Sequence, residues 1–145
     1  MDNLQYKNVV VAVDGSKASE KAFKKSVSIA KRNHSRLIIA HVVDTRTYAL
    51  AEAYERTLIE HAENHAKEIV NRYAEDAKTG GVENLVRCVE YGSPKVKIPK
   101  EIAKTFEADL IICGATGMNA VERLLMGSVS EGIARHATCD VLVVR

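Results

Sequence analysis

Residues 8–13 of the chain are NVVVAV, and Asp14-Gly15-Ser16 follow them directly. A short apolar run rich in β-branched residues is typical of a strand that is buried on both faces of a parallel sheet. Asp-Gly-Ser is typical of a turn, and the apolar residues spaced along 17–33 predict that this turn leads into a helix. The stretch therefore predicts a strand–turn–helix unit, the building block of α/β folds.

The same alternation of strand and helix continues along the rest of the chain. Further apolar runs predict strands at 36–43, 82–90, 109–113 and 140–144. Helices are predicted between them at 49–79, from Gly92-Ser93-Pro94 onward, and at 128–137. Ser93 is the expected N-cap of the second of these helices, and Pro99 leaves open where its regular part begins. Strands that alternate with helices predict an open parallel sheet with helices on both faces.

The composition is that of a globular chain, and its length predicts one domain over residues 1–145. Hydrophobic residues make up 46% of the chain and charged residues 28%, with a formal net charge of +2. No apolar run reaches the length of a membrane span, and no signal-peptide pattern is visible at the N-terminus. Cys88, Cys113 and Cys139 are far apart and odd in number, which favours reduced thiols and a cytoplasmic location.

Lysine and arginine are scattered along the sequence, with no block of five or six. Aromatic residues make up only 5% of the chain, and there is no tryptophan to stack on a base. Both observations argue against nucleic acid as a partner, and the missing apolar span argues against a membrane.

In a sheet of this kind, ligands bind beyond the carboxyl ends of the strands, so the residues that follow each strand matter most. Asp14 follows the first strand, and Gly114-Ala115-Thr116-Gly117 follow the fourth. Gly127 then opens the last helix, whose first N–H groups have no partner within the helix and favour an anion. The hydroxyls of Ser128 and Ser130 add donors, so we expect a phosphate group there.

Two common phosphate-binding motifs do not fit this glycine loop. No Gly-Lys-Ser/Thr is present, which excludes a P-loop, and no G-x-G-x-x-G follows the first strand, which excludes the dinucleotide fingerprint. On their own, the glycines fit turn formation as well as ligand binding. Gly117 and Gly127 are expected either to leave room for phosphates or to adopt a positive φ.

The spacing of the glycines resembles a family motif. Gly114 and Gly117, nine further residues, and then Gly127-Ser128 resemble the G-2x-G-9x-G-S/T motif of the ATP-binding branch of the universal stress protein family. Three more stretches are similar to the first strand, the second strand and the C-terminal signature of that family: VVVAVDGS at 9–16, IIAHVVD at 38–44 and LLMGSVSEGIARHATCDVLVVR at 124–145.

The resemblance implies a Rossmann-like α/β fold of the adenine nucleotide alpha hydrolase type, with an open five-stranded parallel sheet of order 3-2-1-4-5. It also implies ATP, with or without magnesium, at the carboxyl edge of the sheet. The matching nucleotide-binding positions, with the donor Ser130 added, are Ala12, Asp14, Val42, Cys113, Gly114, Gly117, Gly127, Ser128, Val129 and Ser130. At the position of Ala115-Thr116 the family often has Ser followed by His or Arg. The basic side chain of that His or Arg is missing here, and Arg123 either supplies a positive charge in its place or is solvated.

The sequence leaves two functions open: a nucleotide-dependent regulatory module of the stress response, or a slow ATPase or phosphotransferase that uses the same site. Phosphoryl transfer needs positioned metal ligands and a cation on the transferred phosphate. Asp14 stands where a phosphoacceptor aspartate would stand, but its neighbours in sequence offer no companion carboxylate. We therefore favour binding without a catalytic residue, with Asp14 as a ligand contact, a turn cap or both.

The histidines are not expected to form a metal site. His61 and His65 are four apart on one predicted helix, a spacing that can bind zinc, but the sequence offers no third ligand. His41 is expected to be a hydrogen-bonded core residue, and His136 fits the negative C-terminal end of the last helix.

The last predicted strand is apolar from Val141 to Val144 and lies at the sheet edge in the implied strand order. Exposed edges of this kind pair with another strand unless they are blocked. A homodimer through Val141–Val144 is therefore expected, and the family resemblance implies the same antiparallel pairing.

Overall fold

The computed structural model describes residues 5–45, 55–117 and 126–145. The strands in these ranges are β1 (Asn8–Ala12), β2 (Arg36–Asp44), β3 (Asn84–Gly92), β4 (Leu110–Gly114) and β5 (Asp140–Val144). The helices are α1 (Lys17–Asn33), α2 (Glu55–Thr79), α3 (Pro94–Lys97), α4 (Ala103–Thr105) and α5 (Ser128–His136). The five strands form one sheet in the order β3-β2-β1-β4-β5, and each is parallel to its neighbours.

The predicted fold class and strand order are confirmed, and the differences lie at the ends of elements. The sequence predicted the third strand over 82–90, whereas β3 extends to Gly92 because it pairs with β2 along its whole length, up to Asp44. The predicted first part of α2, residues 49–54, lies outside the described residues.

Alternate side chains of the strands enter two apolar clusters, one on each face of the sheet. The cluster beneath α1 and α2 includes Val9, Val11, Phe23 and Tyr73. The cluster beneath α3, α4 and α5 includes Val10, Ile102, Ile111 and Ile133. Helices α1 and α5 therefore cover opposite faces, and each begins near the carboxyl ends of the strands.

The helical region after β3 is irregular, and Pro99 explains why. After α3, residues Ile98–Ile102 form a π-helical segment in which the N–H of Ala103 donates to the carbonyl of Ile98, five residues earlier. Pro99 has no N–H to donate, so the widened turn accommodates it without breaking the helical path. Ser93 is the N-cap as predicted, but its buried hydroxyl has no hydrogen-bond partner among the described residues.

The longest helix is α2, with 25 residues. Its solvent side is rich in charged residues, and none of the described helices is both long and apolar enough to cross a membrane.

Candidate functional site

The turn between β1 and α1 fixes Asp14. The Asp14 Oδ1 atom accepts a hydrogen bond from the N–H of Ser16 at 2.9 Å, and the Asp14 N–H donates to Ser19 Oγ at 3.1 Å. Ser16 Oγ in turn accepts from the N–H of Ser19 at 3.2 Å, which caps α1. Gly15 has φ +84°, a conformation that favours glycine. Asp14 therefore caps its turn, as the sequence predicted.

The second carboxylate oxygen of Asp14 faces the loop that follows β4. A Cβ atom placed on Gly117 would lie 3.3 Å from Asp14 Oδ2. The structure thus brings Asp14 and Gly117, more than 100 positions apart in the sequence, to the same point on the carboxyl edge of the sheet.

The loop after β4 is tied to the beginning of α5 through one carbonyl. The oxygen of Ala115 accepts from the N–H of Gly127 at 2.6 Å and from Ser130 Oγ at 2.9 Å. Ser130 Oγ also lies 3.0 Å from the carbonyl oxygen of Gly127, and Ser130 is buried. The hydroxyl proton of Ser130 is therefore used inside the protein, so this residue positions the loop instead of offering the donor that the sequence suggested.

Helix α5 begins without a side-chain cap. Gly127 occupies the N-cap with an extended backbone, φ −75° and ψ 167°, and has no side chain to accept from the first turn. Ser128 is exposed and Val129 is half-buried. The N–H groups of the first turn and the positive end of the helix dipole together form an arrangement that favours an anion.

Gly114 has a packing role that the motif does not reveal. A Cβ atom on Gly114 would lie 2.7 Å from the carbonyl carbon and 2.8 Å from the Cβ of Ala18, in the first turn of α1. Only a residue without a side chain lets the end of β4 approach α1 this closely. Gly114 therefore fixes the distance between the two elements that carry Asp14 and Gly117.

Gly117 and Gly127 are close to polar atoms but are not conformationally strained. Neither adopts a positive φ, so that part of the expectation is wrong. A Cβ atom on Gly127 would lie 3.4 Å from the Ala115 carbonyl oxygen and 3.4 Å from the Thr116 Cα. Space, and not backbone conformation, is what glycine provides at these two positions.

The apolar residues predicted at the site share one face of the sheet. Val42 and Cys113 are buried in the cluster beneath α3, α4 and α5, and Ala12 and Val129 pack against that same cluster. They come from the carboxyl ends of β1, β2 and β4 and from the first turn of α5. The described residues therefore include an apolar wall that ends next to the uncapped helix.

The profile of the family described as "Universal stress protein family" matches residues 5–145. The chain belongs to this family. A Staphylococcus saprophyticus protein that carries the family name is 49% identical over 142 residues, which are 98% of this chain and 85% of that one. A Staphylococcus haemolyticus relative is also 49% identical, over 98% of this chain and 86% of its own length.

Solved structures of universal stress proteins have the same fold. UspA from Lactobacillus plantarum is 34% identical, with a TM-score of 0.89 over 99% of this chain and 100% of that one. A universal stress protein in complex with cAMP is 28% identical, with a TM-score of 0.74 over 97% of this chain and 98% of its own.

The thiols of this universal stress protein are poor nucleophiles. Burial raises the pKa of Cys113 to about 12 and, with the nearby Glu90 carboxylate, that of Cys88 to about 11. Burial, followed by the Asp140 carboxylate, also raises the pKa of Cys139. Cys88 and Cys113 therefore pack as small apolar residues, as the sequence predicted.

His61 and His65 share one face of α2, and the other described histidines belong to other parts of the chain. His41 Nδ1 is 2.7 Å from the carbonyl oxygen of Val13, so the expected hydrogen bond is present, but His41 is half-buried and not a core residue. His61 and His65 are exposed on α2. No group of three His, Cys, Asp or Glu residues in the described part of the chain could hold a metal ion.

The structure reveals two contributors that sequence reasoning missed, Ala115 and Ala18. Ala115 acts through its backbone, and Ala18 acts through its proximity to Gly114. Neither residue type carries a chemical signal, so only the tertiary contacts identify them. Arg123, considered from the sequence as a source of charge, lies outside the described residues.

Proposed function

We propose that this universal stress protein binds ATP at the carboxyl edge of its sheet and acts as a nucleotide-dependent regulatory module of the stress response. One observation carries the proposal. The loop at 114–117 is fastened to the beginning of α5 by the Ala115 carbonyl, and this brings Asp14 and the uncapped helix to the same edge. The structural neighbour in complex with cAMP supports an adenine nucleotide as the ligand.

The apolar wall fits the base. The half-buried Ala12 and Val129 offer apolar surface, and the buried Val42 and Cys113 belong to the same cluster. None of them brings an ionised group, since the Cys113 thiol stays protonated at neutral pH. The free oxygen of Asp14 accepts hydrogen bonds, so it suits a hydroxyl of the ribose or the amino group of the base.

The uncapped turn of α5 fits the phosphates. Its N–H groups and the exposed Ser128 hydroxyl donate, and Gly117 and Gly127 leave space for phosphate oxygens. Ser130 holds the loop in place from behind. We therefore assign nine of the ten predicted residues to ligand contact and Ser130 to positioning, with Gly114 serving both the site and the packing of β4.

Binding fits the described residues better than rapid hydrolysis does. Phosphoryl transfer requires metal ligands and a cation beside the transferred phosphate. Asp14 already accepts a bond from its own turn, and the buried thiols are not ionised. Free thiols at Cys88, Cys113 and Cys139 fit a reducing cytoplasmic compartment.

We further propose that two copies of the chain pair through β5. It has one strand neighbour, β4, and Val141–Val144 are only half-buried. The opposite edge strand, β3, carries Arg87, which forms an ion pair with Glu75 at 3.2 Å, and also Glu90. Charges of this kind discourage edge pairing, so β5 is the edge suited to a second copy.

Thermal unfolding with added ligands tests the nucleotide proposal. A ligand that binds only the folded state adds about 2.7 kcal/mol of stability at a hundredfold excess over its Kd. ATP with magnesium should raise the Tm more than adenosine does, because adenosine lacks the groups that meet α5. Gly127→Val should remove the ATP effect without unfolding the protein. Equal shifts with ATP and adenosine, or no shift with millimolar ATP, would contradict the proposal.

Asp14→Asn distinguishes binding from catalysis in the same assay. Asparagine keeps an oxygen for the Ser16 N–H, so the turn should survive and ATP affinity should fall by about one hydrogen bond, roughly 1 kcal/mol. Phosphate release is measured in parallel. The regulatory proposal fails if the unmodified protein hydrolyses ATP at about 1 per second or faster, and if Asp14→Asn abolishes this hydrolysis while ATP affinity stays unchanged.

A further inference from the structure

The solvent face of α1 is almost entirely cationic. Among the residues of this helix, the exposed ones are Lys17, Lys21, Lys24, Lys25, Ser28, Lys31 and Arg32. Every exposed residue except Ser28 therefore carries a positive charge, and we call this set the α1 basic row. It extends over about 22 Å, since the helix rises about 1.5 Å per residue from Lys17 to Arg32.

The row has no acidic partner in the described structure. The one carboxylate of α1, Glu20, accepts a hydrogen bond from Tyr73 OH at 2.8 Å and lies toward α2. The ion pairs between described residues join other side chains, on α2, β3, α3, α5 and the π-helical segment. The formal net charge of the chain is +2, and the six cations of the row contribute +6. The rest of the chain therefore carries a net charge of −4.

The charges in the N-terminal half of the row work against the stability of α1, whereas Lys31 and Arg32, in its last turn, suit the helix dipole. Lys17 and Lys21 lie in its first turns, where the helix dipole disfavours a cation. Lys21 and Lys25 are four residues apart, and like charges at that spacing repel each other. The folded monomer gains no compensating contact among the described residues, so a contact outside the monomer is the natural reason for the row.

The shape and chemistry of the row select the kind of partner. It is one helix wide, and the positive surface does not continue onto the adjacent α2, which exposes four carboxylates and four cations: Glu60, Glu68, Glu75, Asp76, Arg56, Lys67, Arg72 and Lys78. Five of the six cations are lysines, which lack the planar fork of arginine that reads bases, and Phe23, the aromatic residue of α1, is buried. A narrow row of lysines three and four residues apart matches carboxylates with the same spacing on another helix.

We propose that the α1 basic row binds an acidic α-helix of a partner protein, with Glu or Asp side chains along one face aligned with the lysines. The row begins at Lys17, three residues after Asp14, and extends from there along α1 away from the nucleotide site. Because it is formed by exposed charges with no apolar anchor, the complex forms quickly, is weak, and loosens as salt screens the charges.

The test uses the full chain and a labelled helical peptide with glutamates on one face at spacings of three and four residues. Fluorescence anisotropy at low and at physiological salt should show binding that salt weakens. Lys21→Glu/Lys24→Glu/Lys25→Glu should weaken binding by at least about tenfold, since it places like charges across the contact. The matched control is Lys95→Glu/Lys100→Glu/Lys104→Glu, which changes the net charge equally on the other face of the sheet and should bind like the unmodified protein.

Three further measurements decide the identity of the partner. A peptide of the same composition with its glutamates spread around the helix should bind more weakly than the patterned peptide. A short DNA duplex and vesicles rich in phosphatidylserine serve as the competing polyanions. The proposal is overturned if the DNA duplex or the vesicles bind the row more tightly than the patterned peptide does, or if the two peptides bind equally well. It is also overturned if the control variant loses as much affinity as the α1 variant, or if no peptide binding is seen at low salt.

Discussion

Gly114 and Gly117 belong to the same motif, yet the structure gives them different tasks. A Cβ on Gly114 meets the backbone of Ala18 at 2.7 Å, which real Cβ atoms do not tolerate, whereas a Cβ on Gly117 meets one carboxylate oxygen at 3.3 Å. Gly114→Ala must therefore move α1 away from β4. We expect it to lower the free energy of unfolding by about 1–3 kcal/mol, as overpacked core positions do.

Urea unfolding of the two alanine variants measures this difference. Gly117→Ala, at a half-buried position with one close neighbour, should change stability by less than about 0.5 kcal/mol. Equal stability of Gly114→Ala and the unmodified protein would show that the close approach at Ala18 relaxes without cost.

At the scale of the element, two serine N-caps behave differently. Ser16 Oγ accepts from the N–H of Ser19 and caps α1, whereas Ser93 Oγ, at the beginning of α3, is buried and has no partner among the described residues. Ser16→Ala should lower the free energy of unfolding by about 1 kcal/mol, the usual value of an N-cap. Ser93→Ala should leave it unchanged or raise it, because a buried hydroxyl without a bond is itself unfavourable.

The comparison requires only the Tm or urea midpoint of each single variant. A loss of stability in Ser93→Ala as large as that in Ser16→Ala would show that the Ser93 hydroxyl is bonded in solution.

The elements also show what the sequence predicts well and what it does not. The β1–turn–α1 unit was predicted closely because its signals are local: β-branched residues, then Asp-Gly-Ser, then helical spacing. The role of Gly114 was not predictable, since Ala18 is 96 positions away in the sequence. The α1 basic row could have been predicted, because the helix expected over 17–33 already places its scattered lysines on one face. Of the site, the positions of Asp14 and the glycines followed from strand ends and motif spacing, but the bonds of Ser130 did not.

At the scale of the whole molecule, the two edges of the sheet make the proposed dimer testable. Val143 on β5 and Val86 on β3 are both half-buried beside the same apolar cluster, so a lysine at either position disturbs the fold to a similar degree. Light scattering at micromolar concentration should give about twice the 15.9 kDa mass of the chain. Val143→Lys should shift the protein toward the monomer.

Val86→Lys is the control and should leave the dimer intact. A monomer for the unmodified protein, or equal dissociation by the two substitutions, would contradict pairing through β5.

Ala115 contacts both proposed binding regions of the molecule. Its carbonyl holds Gly127 at the phosphate side, and its N–H donates at 2.8 Å to the carbonyl of Val144, the last residue of β5. A ligand that shifts this one peptide therefore also shifts the strand through which two copies would meet. Thermodynamic reciprocity then sets one factor for both directions. If ATP strengthens the association of two copies by a given factor, association strengthens the affinity for ATP by the same factor. The cell's energy supply and the abundance of this protein would in that case act on a single equilibrium, each changing the response to the other.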